Sequence, residues 1–178
     1  MPNWAEGVLK IRGTKHKIAN YLRKNLIPVD WFGNEYKIKV EYDDDGITAE
    51  IIKELSKENT PLEKLPVKPT PTDIYINGTR RGFIESDGID IECWTDPDDQ
   101  DAEIVVTIQN FKQAWVIDVN DYVEGAKEAG VDLHIFGFEK GMQFTQEIEI
   151  SEGNAIKNIC NDKFSNYEWD VPFSNLGG

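Results

Sequence analysis

Thiols and imidazoles are scarce in this chain: two cysteines, Cys93 and Cys160, and two histidines, His16 and His134, are all that its 178 residues hold. Two thiols cannot build the disulfide framework of a small secreted domain or a four-thiolate zinc site. Cys93 sits in an alternating stretch beside Trp94 and Cys160 follows Ile159, contexts that suit small hydrophobic side chains rather than activated nucleophiles. Long apolar runs are missing too. No stretch approaches the roughly 18 apolar residues of a membrane helix, and the opening MPNWAEGVLKIRG lacks the basic-then-apolar pattern of a secretion signal, so the expected location is the cytosol. Neither G-x-S-x-G, H-E-x-x-H nor a P-loop occurs, which leaves no catalytic residue to nominate and no cofactor or metal to expect. The glycines of Asn77-Gly78, Asp87-Gly88 and Lys140-Gly141 stand where hairpin turns need a positive φ, and they do not form a phosphate cradle.

Positive charge is short in one half. Residues 1–85 hold 14 Lys and Arg against 13 Asp and Glu, whereas residues 86–178 hold 5 against 20. The whole chain carries a formal charge of −14 with a pI near 4.5, which argues against nucleic-acid binding through a basic face. What is present suffices for a core: 39% hydrophobic residues, 11% aromatics and five Trp in a chain long enough for one domain.

Along the chain, Trp4–Arg12 reads as a strand, and Thr14 caps a helix whose stripe is Ile18, Tyr21, Leu22 and Leu26. Pro28 ends that unit. Tyr36, Ile38, Val40 and Tyr42 alternate as a strand, and Ile47, Ile51 and Leu55 fit one face of a short helix better than a returning strand. Prolines at 61, 66, 69 and 71 mark an extended connector over Thr60–Thr72. Beyond it come strands punctuated by Asn-Gly and Asp-Gly, the strand AEIVVTIQNF, a helix capped by Asp118 or Asn120 and stopped by Gly130, and two strands over Val131–Phe138 and Gln143–Ile150. The tail from Ile156 on, IKNICNDKFSNYEWDVPFSNLGG, has apolar residues without a period and is expected to pack loosely over the sheet. This order predicts a single α+β domain over 1–178, a ferredoxin-like antiparallel sheet with two main helices on one face, with residues 28–72 as an inserted segment and proline-rich connector.

The opening MPNWAEGVLKIRG and the run QAWVIDVNDYVEGAKEAGVDLHIFGFEKGMQFTQEIEI resemble the YubB-like ferredoxin-fold proteins of plasmids and bacteriophages. The family's Met-Pro-Asn-Trp start falls on Pro2, Asn3 and Trp4, its Trp-containing segment on Trp115, and its Glu-X-Gly-X-X-Phe turn on Glu139, Gly141 and Phe144. Ala5 stands where the family commonly has Cys, and Val116-Ile117 replaces a Ser-Pro. The resemblance implies a mobile-element origin and an accessory role, such as binding and blocking a host restriction or CRISPR nuclease.

The residues themselves point to carboxylates as the chemistry on offer. Asp87, Asp90, Glu92, Asp96, Asp98, Asp99, Asp101 and Glu103 crowd seventeen positions. Such a block reads as a solvated loop, a cation site or a negatively charged binding surface. Taken as an EF-hand from Asp96, it has Asp101 where Gly is needed and Thr107 where the bidentate Glu belongs. As a binding surface, it would compete with phosphates for the Lys and Arg side chains of a host nuclease or other nucleic-acid enzyme, with no direct nucleic acid and no membrane as partner. Trp31 and Phe32, beside Gly33, form the aromatic pair expected to be exposed and able to anchor such a complex. The expectation is therefore a non-catalytic inhibitor of the anti-CRISPR or anti-restriction type. The alternatives are a cation-dependent small enzyme or binder centred on Asp96–Glu103, and a virion or assembly component.

Overall fold

The structure, a computed structural model, describes residues 3–55, 71–92 and 101–178. In chain order its elements are β1 (Trp4–Gly13), α1 (Lys15–Asn25), β2 (Leu26–Val29), β3 (Tyr36–Tyr42), β4 (Gly46–Leu55), β5 (Asp73–Ile76), β6 (Gly82–Ile84), β7 (Gly88–Glu92), β8 (Ile104–Ala114), α2 (Asn120–Ala129), β9 (Asp132–Glu139), β10 (Phe144–Ser151), β11 (Asn154–Asn161) and α3 (Tyr167–Asp170). Eight strands form one sheet in the order β11-β10-β9-β1-β8-β6-β5-β2, and β3-β4-β7 form a second. Every pairing between these strands is antiparallel.

This overturns the expected ferredoxin-like α+β arrangement: the described chain is mostly β, with eleven strands and three short helices. The physical reason lies in segments that look irregular in isolation. Ile47–Leu55, expected as a short helix, falls within strand β4, Gly46–Leu55. Its pairing with both β3 and β7 places Ile47 and Ala49 inside and Thr48 and Glu50 outside, and two flanking ladders outweigh a weak helical spacing. Leu26–Val29 is a strand despite Pro28 because β2 is the sheet's edge, where a missing N–H is tolerated. The start of the expected loose tail, from Ile156, belongs instead to the opposite edge strand, Asn154–Asn161. The proline-rich connector, up to residue 70, lies outside the described residues.

The long central strand β1 shows why the core forms where it does. Its alternation buries Ala5, Leu9 and Ile11 on one face. There they join Ile18 and Leu22 of α1, Tyr122 and Ala126 of α2, and Leu133, Ile135 and Ile148 of the neighbouring strands. Thr14 caps α1, its hydroxyl accepting the Lys17 N–H at 3.3 Å. Gly130 closes α2 with φ +68°, its N–H donating to the Ala126 and Lys127 carbonyls. The first helix packs against α2 and also against β3 and β4, so Val40, Ile47 and Ala49 of the small sheet belong to the same apolar cluster. No helix among the described residues is long and apolar enough to cross a membrane.

Candidate functional site

Pairing of β4 with β7 gathers acids that are forty residues apart in the chain. Thr48 stands opposite Asp90, Gly46 opposite Glu92 and Glu50 opposite Gly88, while Glu41 of β3 faces Thr48 from the other side. Register therefore puts Glu41, Glu50, Asp90 and Glu92 on one exposed face, together with Lys39, which stands opposite Glu50 and pairs with Glu41 at 2.8 Å. The exposed turn Asp43-Asp44-Asp45 closes its end, and Asp87 is exposed just before β7. Asp43 is spoken for by the turn itself, its carboxylate accepting the Asp45 and Gly46 N–H groups at 3.0 and 3.1 Å. Lys15 ties the turn to α1, donating to the Asp43 and Asp44 carbonyls at 2.9 and 2.7 Å. The Asp43–Asp45 turn and β7 are more than forty residues apart in the chain, and the small sheet brings them together.

Asp96, Asp98 and Asp99, with Cys93 and Trp94, lie outside the described residues. Asp101 is exposed, and Glu103 precedes β8 close to Arg12, to which it contributes favourable charge. Arg12 itself bonds Asp132, with Nε 3.0 Å from the carboxylate. Among the described residues, no group of three or more His, Cys, Asp and Glu is placed to hold a metal ion.

Trp31 and Phe32 form the tip of the β2–β3 turn, 87% and 80% exposed. What holds them there is Asp30, a residue sequence reading did not single out. It is buried, and its carboxylate accepts the Phe32 N–H at 2.8 Å, the Asn34 N–H at 2.9 Å, the Asn34 side-chain amide at 2.8 Å and the Tyr36 hydroxyl at 3.0 Å. Burial pushes the Asp30 carboxyl up, but these donors outweigh it and hold it below the usual carboxylate range. Burial and the same bond push the Tyr36 hydroxyl up to about 12. Gly33 completes the turn at φ +79°. Two large aromatic side chains are thus presented to solvent on a turn that is already ordered, the condition under which an anchor loses least entropy on binding. The signal available in the sequence was the run Asp30-Trp31-Phe32-Gly33-Asn34, in which an Asp ahead of a Gly can accept the N–H two residues on, as Asp30 does from Phe32 in an Asx-turn.

The other nominated residues take structural places. The side chain of Glu139 is fully buried and caps the β9–β10 turn, accepting the N–H groups of Gly141 (2.9 Å) and Met142. The Asn3 carbonyl accepts the Trp115 N–H at 2.8 Å, and the Asn3 amide lies against Gly141. The motif residues Asn3, Trp115, Glu139 and Gly141 therefore meet at one corner of the sheet. His16 bonds the Tyr42 hydroxyl at 3.1 Å and His134 bonds Glu147 at 2.9 Å. Trp115 and Trp169 are 52% and 87% exposed. Cys160 is a free thiol on β11. Comparison with protein-family models, curated proteins and solved structures finds no match to this chain.

Proposed function

We propose that this chain is a non-catalytic binding protein, an accessory factor of a phage or plasmid that occupies the positively charged channel of a host nuclease or other nucleic-acid enzyme and blocks it. The observation that carries the reading is the face on which Glu41, Glu50, Asp90 and Glu92 converge, flanked by Asp87 and the Asp43–Asp45 turn. Carboxylates in such an array compete with phosphates for the same Lys and Arg side chains. The seven residues of β3, about 23 Å of extended chain, separate that acidic end from the Trp31–Phe32 turn. A standard interface of about 800 Å² per partner spans such a distance. The acids would then speed encounter and set salt dependence, and the aromatic tip would supply the desolvated anchor.

The test is capture from host lysate at low salt with wild-type protein and with Asp87→Asn/Asp90→Asn/Glu92→Gln, followed by assay of the captured nuclease with the purified chain added. The expected result is an enzyme that the wild type inhibits, that salt releases, and that the triple variant binds at least tenfold more weakly. An unchanged set of partners with the triple variant, or nucleic-acid cleavage by the purified chain itself, overturns the reading.

A further inference from the structure

The face of the large sheet opposite α1 and α2 carries a second, unrelated feature. Along β1 the residues alternating with the buried set are Trp4, Glu6, Val8 and Lys10. Register flanks Val8 with Phe136, Glu6 with Phe138 and Lys112, and Lys10 with His134 and Thr107. The pairing of β1 with β8 slips by one residue between Gly7 and Leu9. There Asn110 takes φ +56°, a left-handed conformation that a non-glycine residue adopts at a bulge.

The C-terminal segment returns over this face. The Phe173 ring meets Phe138 edge-on at 5.3 Å between centroids. The Gly177 N–H donates to Glu6 Oε2 at 3.0 Å, and the Gly178 N–H donates to the Trp4 carbonyl at 3.1 Å. Gly177 has φ +79°, and a Cβ there would collide with the Trp4 and Phe138 carbonyls, so glycine is what lets the strap lie this close. Between strap and sheet is a cavity of about 730 Å³, within the range of small-molecule sites. Val8, Phe136 and Phe138 line it from the sheet, and Pro172, Phe173 and Leu176 line it from the strap.

Its charged groups are mostly committed. Lys112 is paired with Asp73 at 2.9 Å and Glu85 at 3.3 Å, and Glu6 holds the strap. Lys10 makes no ion pair among the described residues; its Nζ stands 5.8 Å from the centre of the Phe136 ring. A ligand here meets apolar walls and one uncommitted ammonium.

We infer that this cavity binds an amphipathic monoanion, with its carboxylate on Lys10 and its apolar body along Val8, Phe136 and Phe138 toward Phe173. Apolar burial supplies the affinity and the single charge sets the orientation. The length fits a linear acid: Lys10 and Glu6 are four residues apart on β1, about 13 Å, the extent of an extended chain of roughly ten carbons. The site uses none of the residues assigned to partner binding, so either reading can fail alone.

Decanoate, kept below its micelle-forming concentration, is the probe, titrated calorimetrically into the full chain with decanol and decylamine in parallel. Wild type should bind decanoate saturably at one site and decanol at least tenfold more weakly. Lys10→Met should lose at least tenfold in decanoate affinity and leave decanol unchanged, and Lys10→Glu should favour decylamine over decanoate. Gly177→Ala, which displaces the strap, should weaken decanoate and decanol together. Absence of saturable decanoate binding to wild type, or a decanoate affinity in folded Lys10→Met and Lys10→Glu equal to that of wild type, overturns the inference.

Discussion

Asp30 concentrates more of the local physics than any other single side chain on the small-sheet side. Four donors converge on one buried carboxylate, and removing it leaves the Tyr36 hydroxyl and two backbone N–H groups to find new partners. Asp30→Ala is therefore expected to cost about 2–3 kcal/mol, the scale of a lost charged hydrogen-bonding centre, read as a lower midpoint in urea. Trp31 and Phe32 should behave in the opposite way. Being almost fully exposed, they contribute little to folding, so Trp31→Ala and Phe32→Ala should each change stability by no more than about 0.5 kcal/mol. If they anchor a partner, each should weaken that complex by about 2 kcal/mol or more. Stability and affinity measured on the same two variants separate those roles.

At the level of elements, the edges of the large sheet are managed unequally. The β2 edge is short and carries Pro28, which blunts it. The β11 edge is eight residues long and exposed nearly throughout, with Ile156 and Ile159 60% and 52% exposed. A strand of this kind offers unpaired backbone groups to another chain. Replacing both isoleucines with Lys is expected to raise the temperature at which light scattering begins while moving the unfolding midpoint of the soluble protein little. An unchanged scattering onset would place the association-prone segment elsewhere. The small sheet makes the complementary point: β4 exists as a strand because β3 and β7 pair with it on either side. The face those pairings create carries the acids.

Across the whole molecule, two pH effects oppose each other. Repulsion within a chain of formal charge −14 weakens as pH falls toward the pI, which favours the compact state. Several carboxyls act the other way. Burial works against Asp132, but Arg12 and the Glu152 N–H hold it down; Lys157 and His134 do the same for Glu147, and Asp30 has its own donors. Each of these has a folded-state pKa below its unfolded value. Its stabilisation is fully present above the unfolded value, near 4, and is lost as pH falls through the folded one. The thermal midpoint is therefore expected to rise as pH is lowered from 8 to about 5, and to fall steeply below about 4. At neutral pH, added salt should raise the midpoint by screening the repulsion. A midpoint that falls with the first additions of salt would show that attractive pairs such as Arg12–Asp132 outweigh the net charge.

Local chemistry was enough to read much of this chain directly. The amphipathic β1 and the Thr14-capped α1 follow from side-chain periodicity and one hydroxyl, and the Gly130 stop of α2 follows from backbone freedom at a single position. The acidity of the second half is pure composition, and the Trp31–Phe32 pair stands out beside its turn residues. What tertiary structure alone decided is where segments with weak signals went. Gly46–Leu55 and Asn154–Asn161 have no strong preference of their own, and the ladders available to them made them strands and turned an expected two-helix α+β sheet into a mostly β protein. The same holds for both candidate sites. The acidic face needs β4 to pair with a strand forty residues away, the Asp30 turn needs Asn34 and Tyr36 folded toward one carboxylate, and the Lys10 cavity needs Gly177 laid against Trp4 and Phe138 from the far end of the chain. Contacts between residues distant in sequence leave no periodic trace, because each partner's side chain is chosen for a neighbour that local spacing does not name.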